Sequence, residues 1–248
     1  DKGYNSKSNT GTSLTEDHSV INNVDTYKPA IVDEEIFMAP GNTALDFNAF
    51  VDGHVVFPEL GSPTLPSDIT IEAWINLQGS FGVTTIASWV TDAGAYFSFG
   101  LDDGNPMVSL IDPNVSVFET YVAPTSVPSF IEDVHVALTG NPTDGYNFYI
   151  NGELSYSTGT LGSFFPVSGS DQFYIGITFD ENGIPLLRDG FDGTIDELRV
   201  WDFIRTEAQI KSDLFKSFTA TQTGLVAAFN FDEGTGTSVS DITNTFTG

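Results

Sequence analysis

The stretch Ile69-Thr-Ile-Glu-Ala-Trp-Ile-Asn-Leu77 alternates without a break. Ile69, Ile71, Ala73, Ile75 and Leu77 fall on one side, and Thr70, Glu72, Trp74 and Asn76 on the other. Successive side chains of an extended chain point to opposite faces, so this period of two predicts a β-strand with one face in a core. Similar runs recur on either side of it, each bounded by turn residues. Ala44–Phe47 and His54–Phe57 flank the turn Asp52-Gly53. Thr84–Val90, Ala95–Leu101, Met107–Ile111, Val115–Val122, Val134–Leu138 and Tyr146–Ile150 follow, and Phe173–Ile177, Gly193–Trp201 and Leu225–Phe231 complete the set. Asn151-Gly152, between Phe148-Tyr-Ile150 and Glu153-Leu154, carries the strongest hairpin signal, because both residues tolerate the positive φ of a type I′ turn. Roughly a dozen strands with little helix predict an all-β, two-sheet antiparallel sandwich, with too many strands for an immunoglobulin-like domain.

One segment breaks the pattern. Thr206-Glu-Ala-Gln209 fits a capping box, and Ile210, Leu214 and Phe218 recur at helical spacing. A short amphipathic helix is expected near 206–217, closing an end or edge of the sandwich.

Charge and composition narrow the partners. Eight Lys and Arg against 34 Asp and Glu give a net charge of −26. Phosphate backbones need clustered cations, so nucleic acid is not a partner, and an anionic membrane surface is equally disfavoured. The chain is 40% hydrophobic with 21 Phe, enough to build a core. No apolar run reaches the ~18 residues of a membrane span, and no direct membrane insertion is expected. There are no cysteines, which excludes disulfides and thiol chemistry. His18, His54 and His135 lie far apart, without the spacing of a metal site. Residues 1–41 are rich in Ser, Asn, Thr and Asp and read as an extended arm docking on the domain formed by 42–248.

Seven segments fall in the order found in one family. They are Ala44-Leu-Asp-Phe47, running on through Asp52-Gly-His54 to Pro58; Ile69-Thr-Ile-Glu-Ala-Trp-Ile75; His135-Val-Ala137; Phe148-Tyr-Ile-Asn-Gly152; Tyr174-Ile-Gly176 leading into Phe191-Asp-Gly-Thr-Ile-Asp-Glu-Leu-Arg-Val-Trp201; Arg205-Thr-Glu-Ala-Gln-Ile210; and Gly224-Leu-Val-Ala-Ala-Phe-Asn-Phe-Asp-Glu-Gly234. Residues 42–248 thereby resemble a laminin-G-like, concanavalin A-like jelly-roll module. The resemblance implies two antiparallel sheets, one of them concave, in a family that spans lectins, adhesion modules and some glycoside hydrolases. Function must therefore be argued from sites. The resemblance also implies a secreted or cell-surface protein, expected to be bacterial. Phe231-Asp-Glu-Gly234 resembles the strand that commonly opens such a module, so neighbouring modules of the same polypeptide are expected partners.

Three chemistries were weighed. Glycosidases need two carboxylates flanking the scissile bond, and hydrolases resembling this fold carry them on one strand as Glu-x-Asp-x-Glu. Asp33-Glu-Glu35, Asp102-Asp103, Glu132-Asp133 and Asp196-Glu197 do not form that signature, so no catalytic residues are assigned. The second chemistry is calcium, which takes carboxylate and carbonyl oxygens. The resemblance places a structural calcium at Asp196, with carbonyl oxygens from the Asp52-Gly53 turn and Asp232 as a further ligand. The alternative is that Asp196 pairs with Arg199 or with the amides of a tight turn. The loop Asp180-Glu-Asn-Gly183 reads as an ordinary turn.

The third chemistry is glycan binding, in which aromatic rings stack on sugar C–H faces while polar groups read hydroxyls. Trp74, Trp89, Tyr96, Phe97, Phe118, Tyr121, Phe164 and Phe165 are the candidate aromatics, most of them needed for the core. Phe97, Phe99 and Leu101 form the apolar set of their strand. Tyr96 and Ser98 then face the other way and, with Asp102 or Asp103, line a candidate groove, with Arg188 as a clamp for an acidic sugar or a partner of Asp189 or Asp192. The expectation is a non-catalytic carbohydrate-binding or adhesion module, with a ligand-free spacer domain as the rival and a polysaccharide-degrading enzyme third.

Overall fold

The computed structural model describes residues 43–47, 53–57, 65–79, 82–128, 132–160, 172–186, 190–233 and 238–243. The expected arm, residues 1–41, lies outside them.

Two large antiparallel sheets make the sandwich. Sheet A has seven strands, in the order β1 (Leu45–Phe47), β14 (Gly193–Trp201), β3 (Ile69–Leu77), β8 (Val134–Asn141), β9 (Gly145–Ile150) and β10 (Glu153–Ser157), with β15 (Leu225–Phe229) also on β14. Sheet B has six: β2 (Val55–Phe57), β11 (Gln172–Ile175), β4 (Val83–Val90), β5 (Tyr96–Asp102), β6 (Asn105–Asp112) and β7 (Val117–Val122). β12 (Thr178–Phe179) and β13 (Pro185–Leu186) form a small separate hairpin. This is the two-sheet sandwich that the alternation predicted, and the jelly-roll that the resemblance implied.

Alternation decides what enters the core. Ile69, Ile71, Ala73, Ile75 and Leu77 of sheet A meet Trp89, Phe97, Phe99, Leu101, Val108, Leu110, Phe173 and Ile175 of sheet B in one buried cluster. Trp89 and Phe173 stack with centroids 4.6 Å apart, and Phe57 meets Phe229 at 5.1 Å. Burial of such side chains stabilises by ~1.5–3 kcal/mol each.

The turns follow their residues. Asn151 and Gly152 both hold positive φ, 50° and 78°, as the type I′ turn demands. Asp103-Gly104 does the same between β5 and β6, with φ of 48° and 79°. β1 and β2, by contrast, do not form a hairpin around Asp52-Gly53. β1 pairs with β14 in sheet A and β2 with β11 in sheet B, so the chain between them crosses from one sheet to the other.

The helix α1 spans Glu207–Asp213, shorter than the expected 206–217. Its capping box is present: the Gln209 amide donates to Thr206 Oγ1 at 3.3 Å, and Gln209 Oε1 accepts from the Thr206 amide at 2.8 Å. Its placement corrects the expectation of an end plug. Ile210 packs with Ala137 and Tyr149, so the helix lies on the outer face of sheet A. Both faces of that sheet's central strands are therefore buried, and Thr70, Glu72 and Trp74 are as hidden as the isoleucines between them.

Candidate functional site

The outer face of sheet A carries a charged cluster sealed under the helix. Glu72 from β3 is fully buried. Its Oε1 accepts from Arg205 Nη1 at 2.6 Å and from Trp201 Nε1 at 2.9 Å, and Arg199 Nη1 lies 3.8 Å away. His135 Nε2 lies 3.6 Å from Glu72 Oε2. Arg199 Nη2 donates to Glu197 Oε2 at 3.0 Å and Nη1 to the Asp213 carbonyl at 3.1 Å. Arg205 also bonds the Asp213 carboxylate. Trp74 donates its indole N–H to the Leu214 carbonyl at 3.0 Å. The Arg205 guanidinium lies over Trp201, 4.3 Å from the ring centroid. Burial would raise the Glu72 carboxyl, but the neighbouring His135, Arg199 and Arg205 outweigh it and bring it to about 2. Burial keeps His135 below its ordinary value, against the pull of Glu72. The charged groups pair with one another across β3, β14 and the helix segment, and the cluster fastens the segment 203–218 to the sheet. Glu72 Oε2, both His135 ring nitrogens and the Nε of Arg199 and Arg205 make no hydrogen bond among the described residues.

Asp196 occupies a different position. β1 pairs with Gly193, Thr194 and Ile195 of β14, and β15 pairs with residues 198–201, on the same side. Asp196 pairs with Trp74, and the bulge follows it at Glu197 and Leu198, at the junction of these two short strands, with Glu197 at a φ of 49°. A glutamate in that left-handed region costs on the order of 1–3 kcal/mol. Asp196 is 3% exposed, and its Oδ1 accepts the Glu197 amide at 2.8 Å. Burial holds its carboxyl well above the ordinary carboxylate range. Glu197, Asp232 and Asp133 push the same way, and the Glu197 amide opposes them. Of the alternatives weighed for its partner, the tight turn's amide is the one observed, and Arg199 turns to Glu197 instead.

Whether this carboxylate could hold a hard cation depends on the oxygens around it. Asp196 is an acid with too much negative charge around it, and carboxylate oxygen is what calcium takes. Asp232 is close enough to act on Asp196, and its Oδ1 lies 3.4 Å from Thr43 Oγ1. Among the described residues no three acidic or histidine side chains converge to enclose a metal ion. Asp52 lies outside the described residues. The Gly53 carbonyl stands against Gly190, three residues before β14 begins, whereas Asp196 lies three residues into that strand.

Sheet B presents the other outer face. Phe97 and Phe99 enter the core, so Tyr96, Ser98 and Gly100 point outward, as the alternation implied. Strand register lines up Tyr174, Ser88, Ser98, Ser109 and Thr120 as a row of hydroxyls crossing five strands. A parallel apolar row runs Val90, Tyr96, Ile111 and Phe118. The two rows differ along their length. Tyr96 is only 8% exposed, because Phe179 of the β12–β13 hairpin lies over it, and its hydroxyl donates to the Phe179 carbonyl at 3.4 Å. Ser98 is buried as well. At the other end Phe118 is 53% exposed and Thr120 is exposed, its Oγ1 2.9 Å from Ser109 Oγ.

Asp102 lies six residues along β5 from Tyr96, ~20 Å away, half-buried beside the Asp103-Gly104 turn. Tyr96 and Asp102 therefore do not meet over one sugar. Arg188 lies outside the described residues, as do Phe164 and Phe165. The 180–183 segment is an ordinary turn, with Asp180 Oδ1 accepting the Asn182 and Ile184 amides at 2.8 Å each. The exposed end of the face belongs to Phe118, which composition could not separate from the core phenylalanines. Its signal was register: Tyr121, three positions on, packs inward, which sends Phe118 and Thr120 out.

Comparison with known proteins agrees with this architecture. A profile of the concanavalin A-like lectin/glucanases superfamily matches residues 49–211. A rat protein, the sushi, von Willebrand factor type A, EGF and pentraxin domain-containing protein 1, is 27% identical over 178 residues, covering 70% of this chain and 5% of the rat protein. A provisionally assigned carbohydrate-binding protein from Bacteroides ovatus superposes with a TM-score of 0.58 at 25% identity, covering 79% of this chain and 55% of the other. The CBM40 module of the Ruminococcus gnavus IT-sialidase, bound to α2,3-sialyllactose, has a TM-score of 0.55 at 15% identity, covering 68% of this chain and 95% of the module. The chain thus spans a small fraction of the rat protein and about half of the Bacteroides chain.

Proposed function

Because the chain belongs to the concanavalin A-like lectin/glucanases superfamily, we propose that it is a non-catalytic carbohydrate-binding module of a secreted or cell-surface multidomain protein, stabilised by one calcium ion. The observation that carries this reading is the contrast between the two outer faces. The charged face of sheet A is consumed by the helix, whereas sheet B leaves an aromatic ring and a hydroxyl exposed side by side on its β6–β7 end. An exposed ring beside an exposed hydroxyl is the pairing that a sugar's C–H face and hydroxyls take. The Bacteroides protein of similar fold supports carbohydrate as the ligand.

Three further observations agree. The middle of the outer face carries Ser88, Ser98, Ser109 and Thr120, with no carboxylate among these row positions to serve as acid or nucleophile, which favours binding over hydrolysis. Asp196, with Asp232 beside it, would hold the calcium, which supplies the positive charge that the bulge lacks and ties β14 to the end of β15. No helix among the described residues is long and apolar enough to cross a membrane.

A glycan array probed with and without calcium tests the reading. Binding to at least one glycan is expected, with the melting temperature lowered by chelator. An array without any bound glycan in either condition favours the spacer reading, and turnover of a polysaccharide overturns the non-catalytic one.

A further inference from the structure

The chain has eight Lys and Arg, and those among the described residues lie on one side. Four fall within the described residues: Arg199, Arg205, Lys211 and Lys216. All four belong to β14 and the segment over the outer face of sheet A. There Arg199 and Arg205 are buried against Glu197, Glu72 and Asp213. Lys211 is bonded to Glu153 and Glu207 at 2.6 and 2.7 Å, and Lys216 to Asp213. The described strands of sheet B carry no cation. The whole sandwich separates the two outer faces, with ~10 Å between the sheets alone, and mobile ions screen charge over ~8 Å at physiological salt. These four cations therefore do not serve the outer face of sheet B.

The described charges nearest Phe118 are acidic: Glu119 follows it in β7 and accepts from the Tyr121 hydroxyl at 2.8 Å, and Asp112 pairs with Val117. Burial raises Tyr96 to about 12, and Asp180 and Glu181 add to the shift. Tyr174, at the far end of the hydroxyl row, is raised by burial and by Asp92. Both phenols of this face thus feel carboxylates. An acidic sugar arriving here would lose hydration without gaining the charge-assisted hydrogen bonds that a guanidinium or ammonium provides. A neutral sugar meets what it needs: the exposed Thr120 hydroxyl, which donates and accepts and is backed by the buried Ser109 hydroxyl, and a half-exposed ring for its C–H face.

We infer that the exposed end of this face, Phe118 with Thr120 held by the buried Ser109, takes an uncharged glycan and rejects sialylated and sulfated ones. This rests on the carbohydrate-binding reading and sharpens it by naming the ligand's charge class and the contact residues.

The test uses the whole chain on a panel that pairs lactose with 3′-sialyllactose, and cellohexaose and arabinotriose with a heparin hexasaccharide. At least one uncharged member is expected to bind with an affinity unchanged between low and high salt. Phe118→Ala should weaken it about tenfold, and Thr120→Val should weaken it while leaving melting unmoved. Capture of an acidic member, lost in Arg188→Ala or at high salt, overturns the charge class and leaves carbohydrate binding standing. Neutral binding untouched by Phe118→Ala overturns the location. A panel without any bound member overturns the carbohydrate-binding reading itself, and the present inference with it.

Discussion

Arg205 Nη1 and Glu72 Oε1 lie 2.6 Å apart in the buried layer between helix and sheet, although 133 positions separate them in the chain. One joins β14 to α1 and the other sits mid-strand in β3, so this contact locks a local helical segment onto a non-local sheet. Removing one member of such a pair leaves the other charge buried and uncompensated.

Glu72→Ala should therefore destabilise by about 3–5 kcal/mol. Chemical denaturation at neutral pH measures it. A loss below ~1 kcal/mol would mean that the arginines find other partners and that the cluster does not fasten the helix.

Stability should fall in acid. Glu72 is lowered from 4.5 to about 2, so its contribution is complete above 4.5 and disappears as pH falls toward 2. Its size is on the order of 3 kcal/mol. His135 is held below 6.5, so the unfolded chain takes up its proton first and stability starts to decline below that value. Asp196 is raised and has the opposite sign: its contribution is complete below 3.8 and is lost as pH rises through the folded value. Melting followed from pH 8 to pH 2.5 should show the acid decline. His135→Gln should remove its upper part, and an unchanged upper limb in that variant would show that His135 is not its source.

Asp196→Asn should stabilise the protein in chelator, because it deletes a buried charge surrounded by carboxylates. Calcium at a hundredfold its dissociation constant should stabilise the parent by about 2.7 kcal/mol and the variant far less. Calorimetry with and without the ion decides. Equal calcium response in both proteins would remove Asp196 from the site.

The capping box offers a local test. Thr206→Ala removes the hydroxyl that accepts the Gln209 amide and should cost about 1 kcal/mol. Exchange of the α1 amides should accelerate more than exchange in β3, and equal acceleration would contradict a local effect.

The strands were legible because alternation is written into them. Ile69–Leu77 and Gly193–Trp201 have the bounds read from the pattern, and Asn151-Gly152 turns where its φ preferences require. Two things were not legible. The outward strand positions Glu72, His135 and Arg199 read as ordinary polar alternation, and Arg205 as part of the connection to the helix. Only a helix packed across them turns them into a buried network, and nothing local says where a helix will lie. The second is the β12–β13 hairpin. Strands of two residues carry no period, so the cover over Tyr96 left no trace, and the ring chosen for exposure proved buried while Phe118 stayed open. Asp196 stood out early because aspartate is unfavourable inside a strand, and the bulge is the structural form of that conflict.

The junction of β15 and β1 has a topological meaning. Both run antiparallel to β14, β15 ends opposite Leu198, and β1 begins opposite Ile195. The Thr43 hydroxyl donates to the Phe231 carbonyl at 2.7 Å across the gap. The two are collinear halves of a single strand with a nick in it, so the backbone of the jelly-roll is nearly a closed ring. A short linker from residue 233 to residue 43 would seal the nick and keep Asp232, at the loss of the Asp241 carboxylate that accepts the Ala228 amide, and the ring could then be opened at the Asn151-Gly152 turn to give a circular permutant that retains the strands of both sheets.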